Sequence, residues 1–159
     1  MPGEREQKFM QYAVELSRKG MESGDGGPFG AIVVKGDEII GEGWNQVLTH
    51  TDPTAHAEVV AIREACKKLD SFQLTDCEIY TSCEPCPMCL GAIYWARPLR
   101  VYFANTKEDA AAIDFDDSFI YREINVPHNE KRIPLIPLHN PNAWKVFSEW
   151  KESGNRNLY

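Results

Sequence analysis

The chain has 159 residues, 43% of them hydrophobic and 26% charged, and a formal net charge of −7, which allows one globular domain around a single core rather than a disordered chain. No apolar run approaches the ~20 residues of a membrane span, and the N-terminus MPGEREQKFM lacks a signal peptide's apolar stretch, so a cytoplasmic location is expected. The acidic balance counts against nucleic acid as a partner, since such binding draws on Lys and Arg neutralising phosphates, and favours small, weakly charged ligands.

In chain order, residues 5–22 place Phe9, Tyr12, Ala13, Leu16 and Met21 near helical spacing, with an end before Gly24. The glycine-rich turn SGDGGPFG follows, and AIVVKGDEIIGEGWNQV reads as two strands joined at Lys35-Gly36-Asp37. The polar stretch LTHTDPT leads into the amphipathic segment AHAEVVAIREACKKL, whose Ala55, Val59, Ile62, Ala65, Cys66 and Leu69 can face a core. Residues 77–82 read as a strand. Pro87 then suits a helix's first turn, and Pro98 ends the helix that runs to Ala96. LRVYFA is a further strand, and residues 106–112 and 117–124 read as helical. A Pro-rich connector, VPHNEKRIPLIPLHNP, precedes a last amphipathic segment, AWKVFSEWKES, and the tail GNRNLY. This order gives an α/β sandwich with helices on both faces of a mixed sheet.

Five cysteines without a secretion signal do not make a disulfide framework, and three of them, Cys83, Cys86 and Cys89, fall within seven residues. His56-Ala57-Glu58 opens one predicted helix and Pro85-Cys86-Pro87-Met88-Cys89 opens another. His-x-Glu followed by Pro-Cys-x-x-Cys is the signature of zinc-dependent base deaminases. Two thiolates at C-x-x-C spacing grip one ion from a single helical turn, and the helix N-terminus stabilises their charge. With His56 they make three protein ligands, and a fourth position open to water marks a catalytic site. Glu58 can reach that water while staying outside the metal shell, as a proton shuttle. Against this stand a closed structural Cys₃His site using Cys83, a thioredoxin-like redox pair, and a catalytically dead zinc scaffold. Each leaves Glu58 without a purpose.

The sequence resembles the cytidine deaminase-like superfamily, and within it the bacterial guanine deaminases. The resemblance rests on GGPFGAIVVK, TDPTAHAEVVAIREAC, YTSCEPCPMCLGAIYWARP and FDDSFIY, which cover most of residues 25–123. TSCEPCPMC is shared with tRNA adenosine deaminases and fungal cytosine deaminases, while FDDSFIY and the aromatic tail favour a guanine enzyme. The resemblance implies a three-layer α/β/α sandwich with a five-stranded mixed sheet and one Zn²⁺ per active site. It also implies a homodimer that exchanges a C-terminal segment of about residues 140–159, with Tyr159 closing the partner's site. The implied reaction is hydrolytic deamination of guanine to xanthine and ammonia. Ammeline, cytosine, adenine and tRNA adenosine stand as alternative substrates.

The resemblance also places Asn45, the backbone N–H of Ala57, and Asp117 at the substrate, with Glu58 and Asp117 as the catalytic carboxylates. Asn45 offers both donor and acceptor to a purine edge; read alone it is a strand-end turn residue. Phe29 can stack on a purine or serve as the first core residue of a strand. Asp117 can accept from the exocyclic amine, although Asp116 or Asp117 could instead cap the helix at 117–124. Tyr159 read alone is a frayed terminus. His50, His128 and His139 have no partner at ligand spacing, and Cys66 and Cys77 read as small buried hydrophobes.

Overall fold

The computed structural model describes residues 2–159. It divides into a unit that ends at Ser118 and a second unit, Phe119–Tyr159.

The first unit is built on a sheet of four strands, β1 (Gly30–Lys35), β2 (Glu38–Trp44), β3 (Cys77–Cys83) and β4 (Arg100–Asn105), in the order β2-β1-β3-β4. β1 pairs antiparallel with β2 and β3, and β3 pairs parallel with β4, so the sheet is mixed as expected. The helices are α1 (Glu4–Glu22), the short α2 (Val47–His50), α3 (Ala57–Leu69), α4 (Pro87–Ala96) and α5 (Lys107–Ala112).

Successive side chains of β1 point to opposite faces, and both faces are covered. Ile32 and Val34 pack with Tyr80 against Ala13 and Leu16 of α1. Ala31 and Val33 pack with Ile79 against Ala57, Ala61 and Ala65 of α3 and Ile93 of α4. The result is helix, sheet, helix. Gly41 and Gly43 let α3 lie directly on β2: a Cβ on Gly43 would stand 2.1 Å from the Ala57 carbonyl oxygen, and one on Gly41 2.4 Å from that of Ala61. That close approach fixes where the first turn of α3 sits.

α4 starts as the sequence predicts, with Cys86 at the N-cap and Pro87 at N1, and stops at Arg97 in the left-handed region (φ 55°) before Pro98. α5 begins one residue later than expected, because Thr106 is its cap, exchanging bonds with Asp109. At the far end of α1, Arg5 joins Asp37 at 2.8 Å and Glu78 at 2.8 Å, tying the helix to the β1–β2 turn and to β3.

α6 (Ser118–Ile124) begins at the last residue of the first unit, and the second unit holds the rest of it, a 3₁₀ turn at His128–Glu130 and α7 (Pro141–Glu152). Asn140 caps α7 through Asn142 N–H at 2.9 Å. The expected fifth strand is not formed: among the described residues the sheet has four strands, and residues 134–140 are irregular. Pro134 and Pro137 each lack a ladder donor, which weakens that stretch as a strand. No residue of the second unit is buried. No helix among the described residues is long and apolar enough to cross a membrane.

Candidate active site

Two helix N-termini converge. His56 is the N-cap of α3 and Cys86 the N-cap of α4, with Cys89 one turn into α4. His56 Nδ1 lies 3.5 Å from Cys86 Sγ and 3.5 Å from Cys89 Sγ, and all three ligand atoms fall within 4.8 Å of one another. A tetrahedral ion at ~2.1 Å from nitrogen and ~2.3 Å from sulfur would hold those donors about 3.6 Å apart. The donor set and its spacing fit zinc. Cys83 is not part of the group; its thiol faces the Thr106 carbonyl at 3.6 Å, and burial pushes its pKa up to about 11. A closed Cys₃His site is therefore not built.

The electrostatics suit a cation. The Cys86 thiol is held far below its ordinary range, first by the Cys89 thiol donating to it and then by His56. His56 is raised, chiefly by its bond to Cys86. The Cys89 N–H points at Cys86 Sγ (3.5 Å), the backbone contribution of the helix start.

Glu58 sits in the first turn of α3, 6% exposed, and burial pushes its carboxyl upward. Beside it is Thr81 of β3, whose hydroxyl lies 3.2 Å from Glu58 Oε1 and 3.0 Å from the Cys83 carbonyl. Ala57, fully buried at the first position of α3, carries an N–H with no intrahelical acceptor.

Phe29 and Asn45 are coupled through the backbone, the Asn45 N–H donating to the Phe29 carbonyl at 3.0 Å. Phe29 is half-buried, packs on the core beside α3 and meets Phe115 edge-on at 5.0 Å. Asn45 is 6% exposed, and its Oδ1 accepts from the Val47 N–H at 3.1 Å. Gly26 makes room for it: a Cβ there would stand 2.0 Å from Asn45 Oδ1. Asp25, next to it, binds the Trp44 indole at 2.8 Å and the Thr49 hydroxyl at 2.6 Å, anchoring this loop.

Asp117 is half-buried, and its carboxyl is raised by burial and then by the negative charge of Cys86, which places it within electrostatic reach of the thiol pair. The bond to the Ser118 N–H goes to Asp116 Oδ1 at 2.8 Å. Tyr159 ends the second unit and is largely exposed. A cleft of about 220 Å³ lies between α1 and α5, lined by Val14, Met21, Phe29, Cys83, Asp109 and Ala110 among others; it borders Phe29 but includes none of the three metal-binding side chains. Thr81 and Gly26 carried no signal in the sequence. A threonine in a strand and a glycine in a turn are ordinary, and only the approach of α3 to β3 and of Asn45 to Gly26 gives them a task.

Residues 3–105 match the family model of the cytidine and deoxycytidylate deaminase zinc-binding region. The chain is 54% identical over 151 residues to the guanine deaminase of Bacillus subtilis, covering 95% of this chain and 97% of the relative. The X-ray structure of guanine deaminase from Bacillus subtilis superposes with a TM-score of 0.94 at 53% identity, covering 96% of this chain and 98% of that one. A tRNA-specific adenosine deaminase of Haemophilus influenzae is 40% identical over 120 residues, 72% of this chain and 69% of the relative.

Proposed function

Because the chain belongs to the cytidine and deoxycytidylate deaminase family, we propose that it converts guanine and water to xanthine and ammonia. The observation that carries the substrate is the 54% identity to a guanine deaminase along 95% of the chain. The trio of His56, Cys86 and Cys89 beside buried Glu58 carries the reaction type.

The geometry of the metal group and Glu58 supports two of the roles that follow, and the family resemblance supplies the others. His56, Cys86 and Cys89 would hold the zinc, which would supply a water acidic enough to lose its proton near neutral pH. Glu58 carries a proton to a ring nitrogen next to C2 of guanine, and a second transfer lets the 2-amino group leave as ammonia. A C2–O bond forms, the C2–N bond breaks, and the ring tautomerises to xanthine. Asp117 accepts from the exocyclic amine or carries the second proton. Phe29 stacks on the purine. Asn45, its Oδ1 already engaged by Val47, turns its amide N–H groups to the ring edge, and Ala57 donates its backbone N–H.

The same reading makes the enzyme a cytoplasmic homodimer that exchanges residues from about 140 to 159, the second unit completing the deaminase domain of a partner copy. The second unit supports this because it has no buried core of its own: Ile136 is 82% exposed, Leu138 92% and Trp144 71%. Phe103 on the edge strand β4 is about half exposed, and an open edge is where an added segment pairs. Tyr159 then closes the partner's site.

The test is ammonia release by the zinc-loaded protein from guanine, adenine, cytosine, ammeline and tRNA in separate reactions, with Glu58→Ala as control. Turnover of guanine that is lost in the variant supports the proposal. Turnover of another ring or of tRNA alone overturns the guanine assignment.

A further inference from the structure

We infer that Thr81 is a positioning residue for the proton shuttle, its hydroxyl holding one carboxylate oxygen of Glu58 so that the other is free for the reacting atoms. The inference rests on the deaminase reading. Thr81 lies in the central strand β3, between Ala31 of β1 and Phe103 of β4, and is 1% exposed. Its strand neighbours Ile79 and Tyr80 are core residues, and a valine would fill the same volume. A hydroxyl at such a depth is costly unless it is bonded. Here it has two acceptors, Glu58 Oε1 at 3.2 Å and the Cys83 carbonyl at 3.0 Å.

A hydroxyl has one proton and two lone pairs, whereas an ionised carboxylate only accepts. With Glu58 ionised, Thr81 donates to Oε1 and removes one of the two orientations the carboxylate could take. The Oε1 atom stays an acceptor for Thr81 while the other oxygen faces the reacting atoms, and no buried side-chain oxygen or nitrogen among the described residues lacks a partner. The effect belongs to the chemical step rather than to substrate binding, because Thr81 contacts the shuttle from the sheet side, behind α3.

The experiment compares Thr81→Val, Thr81→Ala and Thr81→Ser in the full-length, zinc-loaded protein, reading kcat and KM for guanine, zinc per chain and melting temperature. Crystal structures of the wild type and Thr81→Val show the Glu58 carboxylate. The expected result is a kcat lower by roughly ten- to a hundredfold in both valine and alanine variants, with KM within about twofold and full zinc occupancy. Serine restores most of the rate, and the Glu58 carboxylate is rotated in the valine crystal. Unchanged kcat in Thr81→Val, a loss that tracks zinc or melting temperature, or no rescue by serine overturns the inference. If the wild type does not turn over guanine, the deaminase reading fails instead, and the positioning claim is decided by the crystal structures: an unmoved Glu58 overturns it.

Discussion

Replacing Gly26 by alanine tests whether the loop before β1 holds Asn45 for the substrate. The added Cβ would stand 2.0 Å from Asn45 Oδ1, 2.8 Å from Asn45 Cγ and 2.6 Å from the Asn45 carbonyl oxygen. The side chain must swing by more than an ångström, which breaks its 3.1 Å bond from the Val47 N–H. Overpacking costs roughly 1–3 kcal/mol and the lost hydrogen bond about 1 kcal/mol. At about 2–4 °C per kcal/mol for a chain of this size, the melting temperature falls by about 4–16 °C. The displaced amide also loses its bonds to the purine, about 1–3 kcal/mol, so kcat/KM for guanine drops about 5- to 150-fold. The assay is a double-mutant cycle with Asn45→Ala, read by steady-state kinetics and thermal melting. In the Asn45→Ala background the kinetic penalty of Gly26→Ala disappears, because the residue it displaced is gone. Part of the stability penalty stays, because the backbone oxygen is still in the way. Wild-type kcat/KM in Gly26→Ala, or kinetic effects that simply add, would refute the reasoning.

Asp117→Asn is expected to cut guanine turnover about a hundredfold or more while zinc stays bound; kinetics equal to wild type would leave Asp117 without a catalytic part. Gly43→Ala, whose Cβ would press on the Ala57 carbonyl at 2.1 Å, is expected to cost at least about 3 kcal/mol. It should also weaken zinc retention, because it lifts the first turn of α3 and with it His56; titration with a chelator during thermal melting reads both. Deleting residues 154–159 is expected to lower kcat with zinc content unchanged, and unaltered turnover would remove the closing role of Tyr159. With zinc bound, iodoacetamide is expected to leave Cys83 unmodified between pH 6 and 9, since its buried thiol ionises only near pH 11; mass spectrometry of the peptide containing it decides.

The metal group was legible because its geometry is local. C-x-x-C across a helix start puts two sulfurs on one ion without any tertiary information, and His-x-Glu sets ligand and shuttle on one turn of a second helix. What remained hidden depends on distances across elements. Thr81 gains its meaning from α3 lying against β3, and Gly26 from the return of β2 beside the loop at residues 25–29. α2 was read as a polar loop because four residues, VLTH, are too short to show a helical period. The competition between Asp116 and Asp117 for the helix cap could not be decided from the sequence, since either side chain can make the bond; in the structure Asp116 Oδ1 accepts from the Ser118 N–H just before α6. The fifth strand came only from resemblance, which assigned it no residues, and the stretch around Pro134 and Pro137 was read as a connector, as it is in the structure.

The central claim is that His56, Cys86 and Cys89 hold one zinc at which guanine is deaminated. The direct measurement strips the protein with a chelator, returns zinc in measured steps and follows the conversion of guanine to xanthine by ultraviolet absorbance. The account predicts turnover that rises linearly to one zinc per chain and then stops rising, and no turnover at any zinc level in His56→Ala. Full turnover in the stripped protein, or a His56→Ala variant that works, would contradict it.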